Sequence, residues 1–136
     1  MATVIYLANP PYLPAAQGAI ERTFGRNVSI LPIELLDLLS DIESPLEILK
    51  RIVSTTKDVV ALVADTPLPI MEQLMVHRFD LQLPLFAPVY NLDENGWPRT
   101  KRLHNGKEVL DLFHFEELTQ LLVQHYEPRR VGNVSL

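Results

Sequence analysis

The chain has 136 residues, 47% of them hydrophobic and 21% charged, which suits one folded domain and excludes a disordered protein. Its formal net charge of −5 argues against a coat for duplex nucleic acid, because neutralising phosphates needs a surplus of lysine and arginine. The absence of cysteine excludes disulfides and thiolate metal ligands.

The first part of the chain carries a strand signal followed by a helix signal. Residues 3–7 (TVIYL) are β-branched, aromatic or otherwise apolar, typical of a strand buried on both faces. Three prolines stiffen the loop at 8–14 and keep it out of a helical conformation. A helix is then predicted over 14–24, with Gly25 as its natural end.

The next segment repeats this alternation. Residues 28–31 predict a second strand that Pro32 ends, and residues 33–39 are apolar enough to predict a short helix. A further helix is predicted to begin at Ser44, which can cap it, with Glu47 at the capping-box position.

The middle of the chain contains the clearest strand. Residues 58–64 (DVVALVA) form a nearly continuous apolar run, followed by a second proline-rich loop at 65–69. Residues 70–79 predict a helix and residues 83–89 a fourth strand.

The C-terminal part differs in character because it contains two Asn-Gly dipeptides, at 95–96 and 105–106. Such dipeptides are strong hairpin signals. A last helix is predicted over 115–126, and the tail 127–136 has little to bury and is expected to be frayed.

This order of elements predicts one α/β domain over residues 1–126. The expected architecture is a Rossmann-like, mostly parallel sheet with crossover helices, a C-terminal β-hairpin extension and a final helix. A flavodoxin-like order of the same strands stays open as an alternative.

Polar side chains follow the predicted parallel strands, at the edge where open α/β sheets bind ligands. Asn9, Thr66 and Asn91 lie there and can hydrogen bond to a phosphate, a hydroxyl or a base edge. The simpler interpretation is that Asn9 and the Asp65-Thr66 pair form turns or cap helices. No GxGxxG or P-loop motif occurs, and prolines remove backbone donors from both loops, so no nucleotide cofactor of the usual type is expected.

The predicted hairpin is basic although the protein is acidic. It is expected either to be a charged edge that resists aggregation or to attract an anion, with Tyr90 and Trp97 near enough to stack a base. The candidate ligand-binding residues are therefore Asn9, Tyr12, Thr66, Asn91, Arg99, Lys101 and Arg102.

Metal ions and membranes are not expected partners. The four histidines lack a ligand spacing, and no apolar run approaches the ~20 residues of a membrane span. The N-terminus also lacks the basic segment of a signal peptide, so a cytoplasmic protein is expected.

Several segments carry a family resemblance. VIYLANPPYLPAAQGAIERTFG, ILPIELLDLLSDI, PLFAPVYN and KRLHNGKEVLDLFHFEEL together resemble small CRISPR-associated Rossmann-fold (CARF-like) proteins of type III CRISPR systems. Some members of that family are ring nucleases. The resemblance covers most of residues 3–118 and consists of element order, the P-x-E-L segment after the second strand, and the F-x-F segment after an Asn-Gly turn.

The resemblance implies a homodimer whose strand ends embrace a cyclic oligoadenylate. It also implies metal-independent cleavage by a ribose 2′-hydroxyl, which needs orientation and charge stabilisation. Asn9, Lys101 and Arg102 are the catalytic candidates it suggests, and no cofactor is implied. The chain departs from the family pattern where Pro10 replaces a histidine, Leu-Pro replaces Leu-Thr, and the loop at 64–67 lacks glycine.

Two other functions are compatible with the sequence. One is a non-catalytic dimerisation or interaction module in which the hairpin and final helix form the contact surface. The other is a small hydrolase in which His114 acts with Asp65 or Asp111, although no motif supports it.

Overall fold

The structure is a computed structural model that describes residues 1–39 and 44–119. Helices connect the strands from residue 2 to residue 90, and three further strands follow. None of the helices in this part of the chain is long and apolar enough to cross a membrane. The elements are β1 (Ala2–Ala8), α1 (Leu13–Phe24), β2 (Val28–Glu34), α2 (Leu35–Leu39), α3 (Pro45–Thr55), β3 (Val59–Asp65), α4 (Leu68–Val76), α5 (Arg78–Leu81), β4 (Leu85–Tyr90), β5 (Thr100–Arg102), β6 (Glu108–Leu110) and β7 (Leu112–Glu117).

The strands form a five-stranded sheet in the order β2-β1-β3-β4-β7, and β5 and β6 form a separate antiparallel pair. The first four strands of the sheet are parallel, and β7 is antiparallel to β4. The predicted Rossmann-like α/β fold with a hairpin extension is therefore confirmed. Within it, the parallel strands follow the flavodoxin-like order 2-1-3-4 that the sequence left open.

Each face of the sheet carries its own apolar core, because alternate side chains of a strand point to opposite faces. In β1, Ile5 and Leu7 pack with the helices α2 to α5, whereas Val4 and Tyr6 pack with α1. Val63 in β3 is fully buried on the α1 side. Burial on both faces explains why β1 and β3 are apolar along nearly their whole length.

The second strand is longer than predicted. It runs through Pro32 to Glu34, so the helix predicted over 33–39 begins only at Leu35. The reason is position. Among the described residues β2 is an edge strand that pairs only with β1, and an edge strand tolerates a proline because its outer side needs no donor.

Two predicted helices also differ in detail. The helix after Ser44 begins at Pro45 as predicted, but the Ser44 side chain makes no capping hydrogen bond, and Glu47 pairs with Lys50 at 3.4 Å instead. The helix predicted over 70–79 is divided at His77 into α4 and α5.

The last predicted helix is wrong in the part that the structure describes. Phe115 and the two residues after it belong to β7, not to a helix. A register shift between Val89 and Tyr90 inserts an extra residue into β7, so Leu112 and Phe115 reach the same core although they are three residues apart. This three-residue spacing is the same as on one face of a helix, which explains the wrong prediction. The rest of that prediction, 120–126, and the tail 127–136 lie outside the described residues.

The outer edge of β7 is covered by the end of α1. The Arg22 guanidinium donates to the carbonyl oxygens of Phe113 and, at 3.0 Å, Leu112. The Thr23 hydroxyl accepts a hydrogen bond from the Phe115 amide at 2.9 Å. Because β7 is the last strand of the sheet in residues 1–39 and 44–119, these side chains satisfy backbone groups that an edge would leave open.

Candidate functional site

A pocket of about 320 Å³ lies at the carboxyl ends of β1, β3 and β4, where the C-terminal extension (residues 91–111) folds over the sheet. This strand-end pocket coincides with the change in strand order between β1 and β3, which is the usual ligand position in doubly wound sheets. Its lining residues are Tyr6, Pro10, Tyr12, Ala15, Asp65, Tyr90, Lys107, Val109, Leu110 and Leu112.

The sheet side of the pocket is built on a carboxylate and two phenols. Asp65 and Tyr90 end the neighbouring strands β3 and β4, and the Tyr90 hydroxyl donates to Asp65 Oδ2 at 2.7 Å. Tyr6 belongs to β1, whose last residue pairs with Asp65. From the sequence, Tyr6 was predicted only to lie in a strand. The pattern of a strand that is buried on both faces does not indicate which of its residues lines a pocket.

Both phenols hold their protons more tightly than a free tyrosine. Burial, with a further contribution from the charge of Asp65, raises the pKa of Tyr6 to about 12. Burial, the charge of Asp65, their mutual hydrogen bond and the nearby Tyr6 together raise the pKa of Tyr90 well above its usual value. At neutral pH both side chains are therefore neutral hydroxyl groups that can donate hydrogen bonds.

The opposite wall of the pocket comes from the second hairpin turn. Gly106 has a φ of 84°, and the Asn105 carboxamide accepts from the Lys107 amide at 2.9 Å, which confirms the predicted turn. Asn105 Nδ2 also donates to the Tyr12 hydroxyl at 2.6 Å. Lys107 Nζ lies 4.1 Å from the centre of the Tyr12 ring, a cation–π contact. The turn thus places an exposed ammonium group at the mouth of the pocket.

Three of the predicted ligand residues meet at Asp111 and not in the pocket. Asp111 Oδ2 accepts from Asn91 Nδ2 at 3.1 Å and from Arg99 Nη2 at 3.5 Å, and its Oδ1 lies 3.7 Å from Lys101 Nζ. Backbone hydrogen bonds also join residues 91, 99 and 111 in a closed set. The basic character of the hairpin is therefore partly neutralised by its own carboxylate.

The remaining predicted residues are spread over the same edge. Tyr12 lines the pocket. Asn9 is exposed and precedes a cis peptide bond to Pro10, and Arg102 is exposed on β5. The Thr66 hydroxyl is buried without a hydrogen-bond partner in the part of the chain that the structure describes, and it does not line the pocket.

The residues proposed for a hydrolase are not brought together by these contacts. His114 Nε2 lies 3.0 Å from Glu116 Oε1 on the edge strand β7, while Asp65 and Asp111 have the partners given above. Across residues 1–39 and 44–119, no group of three or more histidine, cysteine, aspartate or glutamate side chains could hold a metal ion.

The contacts of Asp111 predict a stability effect. Asp111→Ala should lower the stability of the extension by about 1–2 kcal/mol, because it removes charge-assisted hydrogen bonds from a carboxylate that is only 17% exposed. Amide hydrogen exchange at Asn91 and Arg99 would measure the loss. Glu94→Ala, an exposed carboxylate of the same extension, is the control, and equal exchange in the two variants would contradict the assignment.

Comparisons with protein-family models, with curated proteins and with solved structures yield no match to this chain.

Proposed function

We propose that this protein recognises a cyclic oligoadenylate and that one nucleotide unit occupies the strand-end pocket. The observation that carries the proposal is the meeting of aromatic rings, one carboxylate and one ammonium group at the switch point of a doubly wound sheet. Aromatic faces suit a base, and the ammonium of Lys107 suits a phosphate.

The pocket is charged unevenly, and this gives the ligand a direction. Lys107 stands at the exposed mouth, whereas Asp65 is partly buried at the strand ends. A phosphate is attracted to the ammonium group and repelled by the carboxylate. The proposed orientation therefore has the phosphate at the mouth and the base toward the sheet.

Pocket size supports two copies in the complex. A volume of about 320 Å³ is at the small end of the ~300–1,000 Å³ typical of ligand pockets, so it suits one nucleotide unit. Prolines also leave few backbone donors in the nearby loops, and Pro10 itself lines the pocket. A cyclic oligomer with several phosphates would thus be shared by a homodimer, each protomer holding part of the ring.

Cleavage is a second step that the same site could support. In the expected reaction the oxygen of a ribose 2′-hydroxyl attacks the neighbouring phosphorus and the bond from phosphorus to the 5′-oxygen breaks. The 2′-hydroxyl gives up its proton, the 5′-oxygen takes one up, and a 2′,3′-cyclic phosphate forms. Lys107 would stabilise charge on the phosphate, and no metal would be needed. Product analysis after incubation without metal separates a ring nuclease from a binding protein.

Isothermal titration with cyclic tetra-adenylate and cyclic hexa-adenylate tests the proposal. Lys107→Ala should weaken binding at least about tenfold, because it removes the cation at the mouth of the pocket. Arg102→Ala removes the same charge from an exposed position outside the pocket and should leave the affinity within about twofold. The absence of both binding and cleavage at micromolar protein would contradict the proposal. Equal losses of affinity in the two variants would show that Lys107 has no specific part in it.

A second candidate is an interaction module that uses the extension. It is favoured by four large apolar side chains, in the extension and in the adjoining strand β7, that are 45% to 69% exposed: Leu92, Trp97, Leu110 and Phe113. Sedimentation of the protein with and without cyclic oligoadenylate separates the candidates. Self-association that is strong without nucleotide and unchanged by it would favour the interaction module.

A further inference from the structure

Asp65 has features that a turn or capping residue would not have. Helix α4 begins just after it, yet its N-cap is Pro67, and no side chain makes a capping hydrogen bond there. The hydrogen bond that Asp65 does make crosses to the next strand, where Oδ2 accepts from the Tyr90 hydroxyl at 2.7 Å. This bond fixes the orientation of the carboxylate at the edge of the pocket.

The second oxygen of Asp65 is left for a ligand. Among the described residues, Asp65 Oδ1 has no hydrogen-bond partner and no cation pairs with it. An ionised carboxylate only accepts hydrogen bonds, so whatever meets Oδ1 must be a donor. Tyr6 and Tyr90 both interact with Asp65, and they supply no positive charge because they stay neutral.

We infer that Asp65 determines base specificity by accepting a hydrogen bond from an exocyclic amine of the bound base. The inference rests on the proposed function, since it assigns the inner end of the same pocket. Adenine presents an amine at its six position, whereas hypoxanthine presents a carbonyl oxygen there. Hypoxanthine would place its carbonyl oxygen against Asp65 Oδ1, one acceptor against another, and would leave Oδ1 of this partly buried carboxylate without a donor.

A ribose hydroxyl is also a donor, but the pocket favours the base. The ribose is attached directly to the phosphate, and the phosphate is held at the mouth by Lys107. Two aromatic residues, Tyr6 and Tyr90, line the sheet side, which suits a planar base more than a sugar. Asp65 is therefore expected to discriminate between bases and not only between sugars.

The test is the ratio of affinities for cyclic tetra-adenylate and cyclic tetra-inosinate, measured by titration calorimetry. The unaltered protein should bind the adenylate at least about tenfold more tightly, because a hydrogen bond to a charged acceptor is lost with the inosinate. Asp65→Asn should bring this ratio to about one or invert it. An asparagine can keep its oxygen on the Tyr90 hydroxyl and present its amide hydrogens to the carbonyl of hypoxanthine.

Two further variants test the role of Asp65 independently. Lys107→Ala should weaken both ligands alike and keep the ratio, since it acts on the phosphate. Tyr90→Phe removes the hydroxyl that orients Asp65 and should lower the ratio even if Asp65→Asn fails to fold. A tetra-2′-deoxyadenylate ring bound as weakly as the inosinate would move the contact from base to sugar and overturn the inference.

The outcomes also separate this inference from the proposed function. Equal binding of adenylate and inosinate by the unaltered protein, or an unchanged ratio in Asp65→Asn, would overturn only the role of Asp65. Failure of both rings to bind would overturn the proposed function together with it.

Discussion

Replacing Leu62 by alanine is expected to lower the free energy of unfolding by about 2–5 kcal/mol. Leu62 is 2% exposed and lies in β3, between β1 and β4 at the centre of the sheet. Its side chain belongs to the core beneath the helices α2 to α5. Alanine would lose the transfer free energy of the missing carbons and would leave a cavity that the rigid strands cannot close.

Urea unfolding followed by circular dichroism measures this effect. A domain of this size is stable by roughly 5–15 kcal/mol, so the loss would be a large part of the total. Leu36→Ala makes the same chemical change on α2 at a side chain that is 56% exposed, and it should change stability by no more than about 0.5 kcal/mol. Similar midpoints for both variants would contradict the assigned core. Because β3 ends at Asp65, Leu62→Ala should also lower the affinity for any ligand that binds at that end of the strand.

The second large effect is expected at alkaline pH. Burial raises the pKa of Tyr6 from 10.0 to about 12, so the unfolded chain gives up its phenolic proton at a lower pH than the folded chain does. The stabilisation is therefore complete below pH ~10 and is lost as the pH rises toward ~12. At about 1.4 kcal/mol per pKa unit, Tyr6 alone should contribute roughly 3 kcal/mol of this loss. Tyr90, whose pKa is also raised, adds to it in the same direction.

Urea unfolding between pH 9 and 11.5 would follow this loss, with the absorbance of tyrosinate as an independent record of ionisation. A Tyr6→Phe/Tyr90→Phe variant keeps both rings and lacks both protons. Its stability should fall less steeply with pH than that of the unaltered protein. Parallel slopes would show that neither phenol is protected in the folded state.

The sheet and its order of elements were predictable because they depend on local patterns. The buried strands near residues 3–7 and 58–64 are nearly continuous apolar runs, and such runs are typical of central parallel strands. Gly25 ends α1 with a φ of 90°, and both Asn-Gly turns have glycines of positive φ. In each case the information lies within a few neighbouring residues.

The errors come from long-range context. Pro32 is tolerated in β2 only because that strand is at the edge, which its own segment does not reveal. Leu112 and Phe115 are spaced like a helix but belong to a strand with a register shift. A single sequence without its fold contains no record of either condition.

The position of the strand-end pocket was predictable, but most of its lining residues were not. The carboxyl edge of the sheet follows from strand order, and Tyr12 was assigned to it. The pairing of Tyr90 with Asp65 joins residues that are 25 positions apart. Lys101 pairs with Asp111 whereas Lys107 lines the pocket, and the sequence alone does not show which lysine that carboxylate pairs with. The signal available in the sequence was a tyrosine, Tyr90, at the end of one strand and an aspartate, Asp65, at the end of another.

The covered edge of β7 has a consequence for assembly. Arg22 and Thr23 occupy the outer backbone groups of that strand, and at the far side of the sheet Pro32 interrupts the other edge. Open edges are the usual templates on which sheets of separate molecules join into larger stacks. With both margins obstructed, two copies of this protein would meet through side-chain surfaces and not by continuing one sheet into the next. Such a contact can form when a small ligand binds and dissociate when it leaves, whereas aggregation along strand edges tends to be irreversible.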